Sequence, residues 1–219
     1  MKNLKNALLL KQLYLQKELG FCYTSDIPYK EEEINLSLPN NIDDLKKQAL
    51  NCHLCSLSKS RINVVFGEGN LNAKLMFVGE APGASEDSLG RPFVGKSGEL
   101  LTKMIENVLK LKREDIYIAN IVKCRPPHNR TPHEEEAYTC LPYLQKQLEI
   151  IKPKIVISLG ATAYRYLTND TTPISKIRGT IHKQNNYTLI PTYHPSYLLR
   201  NPSAKKEVFE DLKLIYSLL

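Results

Sequence analysis

The chain has 219 residues, of which 42% are hydrophobic and 24% charged, ordinary values for a globular protein that exclude a collagen-like or disordered chain. Five Lys and five acidic residues cancel in residues 1–40, so the formal charge of +7 falls on residues 41–219 and points to a polyanionic partner. No apolar stretch reaches membrane-spanning length, and the start MKNLKNALLLKQL is interrupted by Lys11 with no small-residue cleavage site after it. A cytoplasmic protein with no membrane contact is expected, a setting in which paired cysteines more often bind metal or catalyse than form disulfides.

In chain order, leucines at 4, 8 and 15 and at 9 and 13 predict a helix over residues 2–19. The polar, acidic run Thr24–Asn41 reads as a linker, which gives an appendage of residues 1–41 and a main domain of residues 42–219. A second helix is expected over Asp43–Lys59. The remainder alternates. Strand candidates are Leu75–Val78, Ile116–Ile121, Ile155–Leu159 and Thr188–Pro191; helix candidates are Ser97–Leu111, Pro132–Ile151, Gly160–Leu167 and Ser203–Leu218. Strands separated by helices of this length predict an α/β fold, a three-layer α/β/α domain on a central four-stranded parallel sheet.

The stretch GEAPGASEDSLGRPFVGKSG, Gly79 to Gly98, follows the first strand and so sits where open α/β sheets bind ligands. It combines five glycines with Glu80, Glu86, Asp87 and Phe93, an unusual mixture for a plain connection. Within it, Gly90 to Ser97 matches the phosphate-loop pattern G-x-x-x-x-G-K-[ST]. The match fails on context. The strand ends about ten residues too early, Pro92 lacks an N–H, and no later strand ends in an Asp to hold magnesium.

Four of the five cysteines form a pattern: Cys52-x2-Cys55, then Cys124, then Cys140. Four thiolates suit zinc or an iron–sulfur cluster; Cys124 and Cys140 as plain buried residues are the alternative, and Cys22 reads as a free thiol. The segment Lys123–Arg130 (KCRPPHNR) carries three cations, Arg125 and Arg130 among them, and reads as a rigid, basic, exposed loop for phosphate contacts or simply a solvated one. Asn120 ends a strand, where a carboxamide can read a nucleobase edge or merely turn the chain. His194 precedes Pro195 and is followed by Tyr197, Leu198 and Leu199 beside Arg200. That is an apolar wedge with a cation, as used to fill the gap of an extruded base, or alternatively an ordinary helix start.

Together, GEAPGASEDSLGRPFVGKSG, IYIANIVKCRPPHNR, the cysteine spacing and YHPSYLLRNP closely resemble the family 4, iron–sulfur uracil-DNA glycosylases over residues 48–217. The resemblance implies a monomeric enzyme that removes uracil from single- or double-stranded DNA, and a structural [4Fe–4S] cluster on Cys52, Cys55, Cys124 and Cys140, with zinc the less favoured occupant. It further implies that Phe93 stacks on the flipped base, Asn120 pairs with its polar edge and His194 bonds its O2. Glu80 stands near the attacking water or sugar, Glu86 crowds C5, and backbone N–H groups near Glu80 and Ala81 complete the pocket. Arg125, Arg130, Leu198 and Arg200 are the expected DNA contacts. Ala81 stands where family 1 enzymes carry a catalytic Asp, so water activation by that route does not transfer. The short run Arg178–His182 does not look like the basic insertion of the cross-linking relatives.

Overall fold

The computed structural model describes residues 38–219, with Lys17 and Glu18; the expected helix over 2–19, most of the linker and Cys22 lie outside the described residues. The chain divides into units of residues 1–37 and 38–219, and the second is described below.

Asn41 opens the unit: its side chain accepts from the Asp44 N–H at 2.8 Å and caps α1 (Ile42–Leu50), whose first turn carries Asp43 and Asp44. The expected continuous helix over Asp43–Lys59 is broken. It stops at Leu50, and a 3-10 turn forms only at Ser56–Lys59, leaving Cys52 and Cys55 on the irregular stretch between.

The sheet has six strands rather than four: β1 (Glu68–Gly69), β2 (Leu75–Gly79), β3 (Tyr117–Asn120), β4 (Ile155–Leu159), β5 (His182–Lys183) and β6 (Thr188–Thr192). Its order is β1-β3-β2-β4-β6-β5. The four interior strands are parallel; the two additional edge strands are two-residue antiparallel segments, too short to show a hydrophobic period. Strands β2, β3 and β4 are buried along their whole length, which is why they read as unbroken apolar runs.

Alternate residues serve two cores. Met76, Val78, Ala119 and Val156 face α1, α4 (Glu134–Ile151) and α5 (Ala161–Thr168). Leu75, Phe77, Ile118 and Ile157 face α3 (Lys96–Asn107), α7 (Pro195–Arg200) and α8 (Lys205–Ser217). Two short helices complete the unit, α2 (Ala84–Leu89) and α6 (Ile174–Ile177). Helix α2 lies inside the stretch read as one long loop; it ends at Gly90, whose φ of 68° suits a residue without a Cβ. Functional segments gather at the carboxyl ends of β2, β3, β4 and β6.

Glycine is required where α3 meets the loop. A Cβ on Gly98 would lie 1.9 Å from the Phe93 carbonyl oxygen, a backbone atom with no room to yield. Gly98→Ala should therefore cost at least the roughly 1–3 kcal/mol typical of overpacking, read as a lower denaturation midpoint. A wild-type midpoint would show that α3 can shift without cost.

Candidate active site

A cavity of about 690 Å³ opens at the carboxyl edge of the sheet. Glu80, Ala81, Glu86, Phe93, Asn120, His194, Arg130 and Arg200, all singled out from sequence, line it. Two others do not. Arg125 is occupied by its Nε–H donation to Asn129 Oδ1 at 2.8 Å and lies off the cavity wall. Leu198 is 1% exposed and packs into the core beneath α7, so it cannot enter DNA; the exposed side chains of that helix are Tyr197, Leu199 and Arg200. Of the two readings of this segment, wedge or ordinary helix start, Leu198 follows the second, since a helix turns one residue in three or four inward.

The floor is built at the ends of β2 and β3. Asn120 is 1% exposed, and its Oδ1 is buried with no hydrogen-bond partner among the described residues. An orphaned buried carboxamide oxygen costs free energy unless something supplies a donor. Phe93 covers this floor. Its φ of 51° is a left-handed value that an aromatic residue rarely adopts, and its ring centroid lies 5.5 Å from that of His194, tilted by 33°.

Glu86 holds that conformation in place. One carboxylate oxygen accepts from the Val94 and Gly95 N–H groups, both at 3.1 Å, and the other from the Gly83 N–H at 3.2 Å. The side chain thus closes the segment 83–95 on itself around Phe93. The neighbouring Asp87 is 1% exposed and accepts from the Ile62 and Asn63 N–H groups at 2.9 and 3.2 Å. Glu86 is expected from the resemblance to crowd C5 of the base, whereas Asp87 carries no role from sequence; its inward position comes from α2, whose period the glycine-rich stretch does not show.

His194 begins α7. Its Nδ1 accepts the Ser196 N–H at 3.1 Å and lies 2.8 Å from the Ser196 hydroxyl. A backbone N–H can only donate, so the neutral ring carries its hydrogen on Nε2. Burial, with the Arg200 charge adding to it, lowers the His194 pKa to about 4. Arg130 donates twice to the Glu136 carboxylate at 2.8 Å, and this pairing lowers the Glu136 pKa to about 2.

The four cysteines surround one small cavity, walled by Leu54, Arg61, Lys123 and Tyr143. No three described His, Cys, Asp or Glu side chains are arranged to hold a single metal ion. Arg61 Nη1 lies 3.3 Å from Cys124 Sγ, and the Lys123 N–H donates to Cys140 Sγ at 3.3 Å. Burial pushes the Cys140 thiol up to about 12, so an ionised sulfur there needs positive charge beside it. Lys123, read from sequence as part of an exposed basic loop, is instead 2% exposed. Its ammonium donates to the Asn120 carbonyl at 2.8 Å and to Gln147 Oε1 at 2.7 Å, both neutral acceptors.

Residues 66–213 match the family model described as Uracil DNA glycosylase superfamily. The chain belongs to this superfamily. It is similar to the type-4 uracil-DNA glycosylases of Sulfurisphaera tokodaii (43% identity over 82% of this chain and 85% of that one) and Saccharolobus solfataricus (45% over 80% and 85%). It is also similar to the type-4 uracil-DNA glycosylase of Thermotoga maritima (48% over 74% and 86%).

The His194 shift has a consequence for stability. Between its unfolded pKa near 6.5 and its folded value of about 4, the unfolded chain binds a proton that the folded chain does not. Stability is therefore fully present above about pH 6.5 and falls as pH drops through this window, by up to about 1.4 kcal/mol per pH unit from this group. Urea midpoints from pH 7 to pH 4.5 should fall more steeply for wild type than for His194→Asn. Equal slopes would place the titrating group elsewhere.

Proposed function

We propose that this chain removes uracil from DNA by hydrolysing the bond between the base and C1′ of the sugar, leaving an abasic site. The observation that carries the reading is the orphaned Asn120 oxygen under the Phe93 ring, at the bottom of a cavity able to take a flipped nucleotide. Uracil presents an N3–H to that oxygen and an O4 acceptor to the amide nitrogen; cytosine presents a lone pair and an amino group. The wrong base leaves buried polar groups unpaired at about 1–3 kcal/mol each. Glu86 is the wall beside C5, held rigid by its three N–H bonds, so that a thymine methyl meets a side chain that cannot retreat.

In the reaction the glycosidic bond breaks with its electron pair going to the base, and the sugar passes through an oxocarbenium-like state. Negative charge develops on uracil O2, where the Nε2–H of a neutral His194 is the donor. Glu80, on the cavity wall, orients the water that adds to C1′ and offsets the positive sugar; uracil leaves as its anion, and the proton that the water gives up passes to solvent, which protonates the released base. Arg200 and the exposed Tyr197 and Leu199 face the DNA, and flipping favours mismatched or single-stranded uracil. Action as a monomer in the cytoplasm accords with this reading, and no described helix is long and apolar enough to cross a membrane.

The donor set fits a [4Fe–4S] cluster on Cys52, Cys55, Cys124 and Cys140. All four thiols line one cavity, and a buried ammonium with only neutral partners gains a counter-charge from an anionic tetrathiolate centre. When bound, the cluster supplies structural cross-linking. A brown protein absorbing in the visible is expected; a colourless, zinc-containing one would replace the cluster and leave the excision chemistry as written.

The test is alkali-revealed breakage of end-labelled single-stranded DNA carrying one uracil, with cytosine and thymine controls. Breaks at uracil alone are expected, and none from cluster-loaded protein would overturn the reading. His194→Ala should lower the single-turnover rate by about 10²–10³-fold with DNA affinity little changed. Asn120→Asp should raise cytosine excision relative to uracil, and an unchanged ratio would remove Asn120 from base selection.

A further inference from the structure

Two hydrogen-bonded connections run between the cysteine site and the uracil pocket. The first starts at Cys124, whose sulfur is contacted by Arg61. The next two residues of that segment, Ile62 and Asn63, give their N–H groups to Asp87 Oδ1. The Asn63 side chain reinforces the join, donating to the Asp87 and Ser88 carbonyls at 2.7 and 3.1 Å. Asp87 shares α2 with Glu86, the residue that fastens Val94 and Gly95 beside Phe93. The second connection is a single residue. Lys123 meets Cys140 Sγ with its backbone N–H and the carbonyl of Asn120 with its ammonium.

Each connection thus ends on a different wall of the pocket: the aromatic cover in one case, the base-reading asparagine in the other. We propose that Asn63, Asp87 and Lys123 are positioning residues that couple occupancy of the cysteine site to the shape of the uracil pocket itself. This rests on the uracil pocket and four-cysteine centre described above, and it assigns the centre a role beyond bracing segments that face DNA. Spatial continuity alone does not establish coupling, so the test must read both ends.

Linkage supplies it. If an occupied cysteine site favours the uracil-binding shape, bound uracil must favour retention of the centre by the same factor. The experiment follows loss of visible absorbance from the full-length holoprotein in ferricyanide and a chelator, without DNA, with and without saturating free uracil, and with cytosine as control. A zinc-loaded preparation is read by zinc release to a chromogenic chelator. Uracil should slow the loss about 5-fold or more and cytosine should not, the kinetic sign of the tighter retention that linkage requires. Asn63→Ala and Lys123→Met should each reduce that protection.

Uracil binding is checked separately through its inhibition of excision. Bound uracil with an unchanged loss rate, or excision that saturating uracil does not inhibit, overturns the coupling and leaves the enzyme reading intact; absence of excision in the same assay overturns both. Protection that persists undiminished in Asn63→Ala overturns the first connection even where Lys123→Met fails to fold, since Asn63 is only partly buried and its side chain bonds only two carbonyls.

Discussion

The pocket depends on a missing atom. A Cβ on Gly79 would lie 2.4 Å from Asn120 Oδ1 and 2.6 Å from Phe93 Cζ, so only glycine at the end of β2 lets the carboxamide and the ring occupy their places. The same economy of space recurs at Gly98, which lets α3 approach the Phe93 carbonyl. Between these contacts Phe93 has little freedom. Its left-handed backbone is disfavoured by order 1–3 kcal/mol, and the Glu86 bonds to the following two residues offset that strain. A base-sized slot therefore exists before any base arrives, and binding need not order it.

Charge imposes the second constraint. A fully buried ammonium with neutral acceptors is costly, and burial lowers the Lys123 pKa to about 8. The position makes sense beside sulfurs that become anionic on binding a metal centre. Arg61 lines the same cavity with its guanidinium on Cys124. Cations placed near thiolates stabilise the ionised form, and one of the two, Lys123, also reaches the active site through the Asn120 carbonyl.

The layered fold and most of the cavity were legible in the sequence because buried parallel strands leave unmistakable apolar runs, each with a cavity residue within two positions of its end: Glu80, Asn120, Gly160 or His194. What escaped follows a common pattern. Residue type announced Lys123 as surface, but its partners, Gln147 and the Asn120 carbonyl, are supplied by tertiary structure. Composition announced Leu198 as a wedge, whereas helical phase decides which of Tyr197, Leu198 and Leu199 turns inward. Strands β1 and β5 are two residues each and carry no period to read. Asp87 was hidden because nothing in a single carboxylate reveals that two backbone N–H groups some 25 residues upstream will converge on it.

The imidazole shows how these constraints meet in the proposed chemistry. A charged His194 would offer more electrostatic stabilisation to a departing uracil, but burial and the Arg200 charge both oppose protonation. With Nδ1 engaged by the Ser196 N–H, the neutral ring can present only one donor, Nε2–H, and it does so at any pH well above 4. In the proposed reaction the ring is thus a fixed dipole rather than an acid, one that would stabilise charge on O2 where it develops and keep its proton when the base leaves. Arg200 then acts twice through the same field. It suppresses a second proton on the imidazole, and in the proposed reaction it would put positive potential on the cavity wall where the phosphates flanking a flipped nucleotide pass.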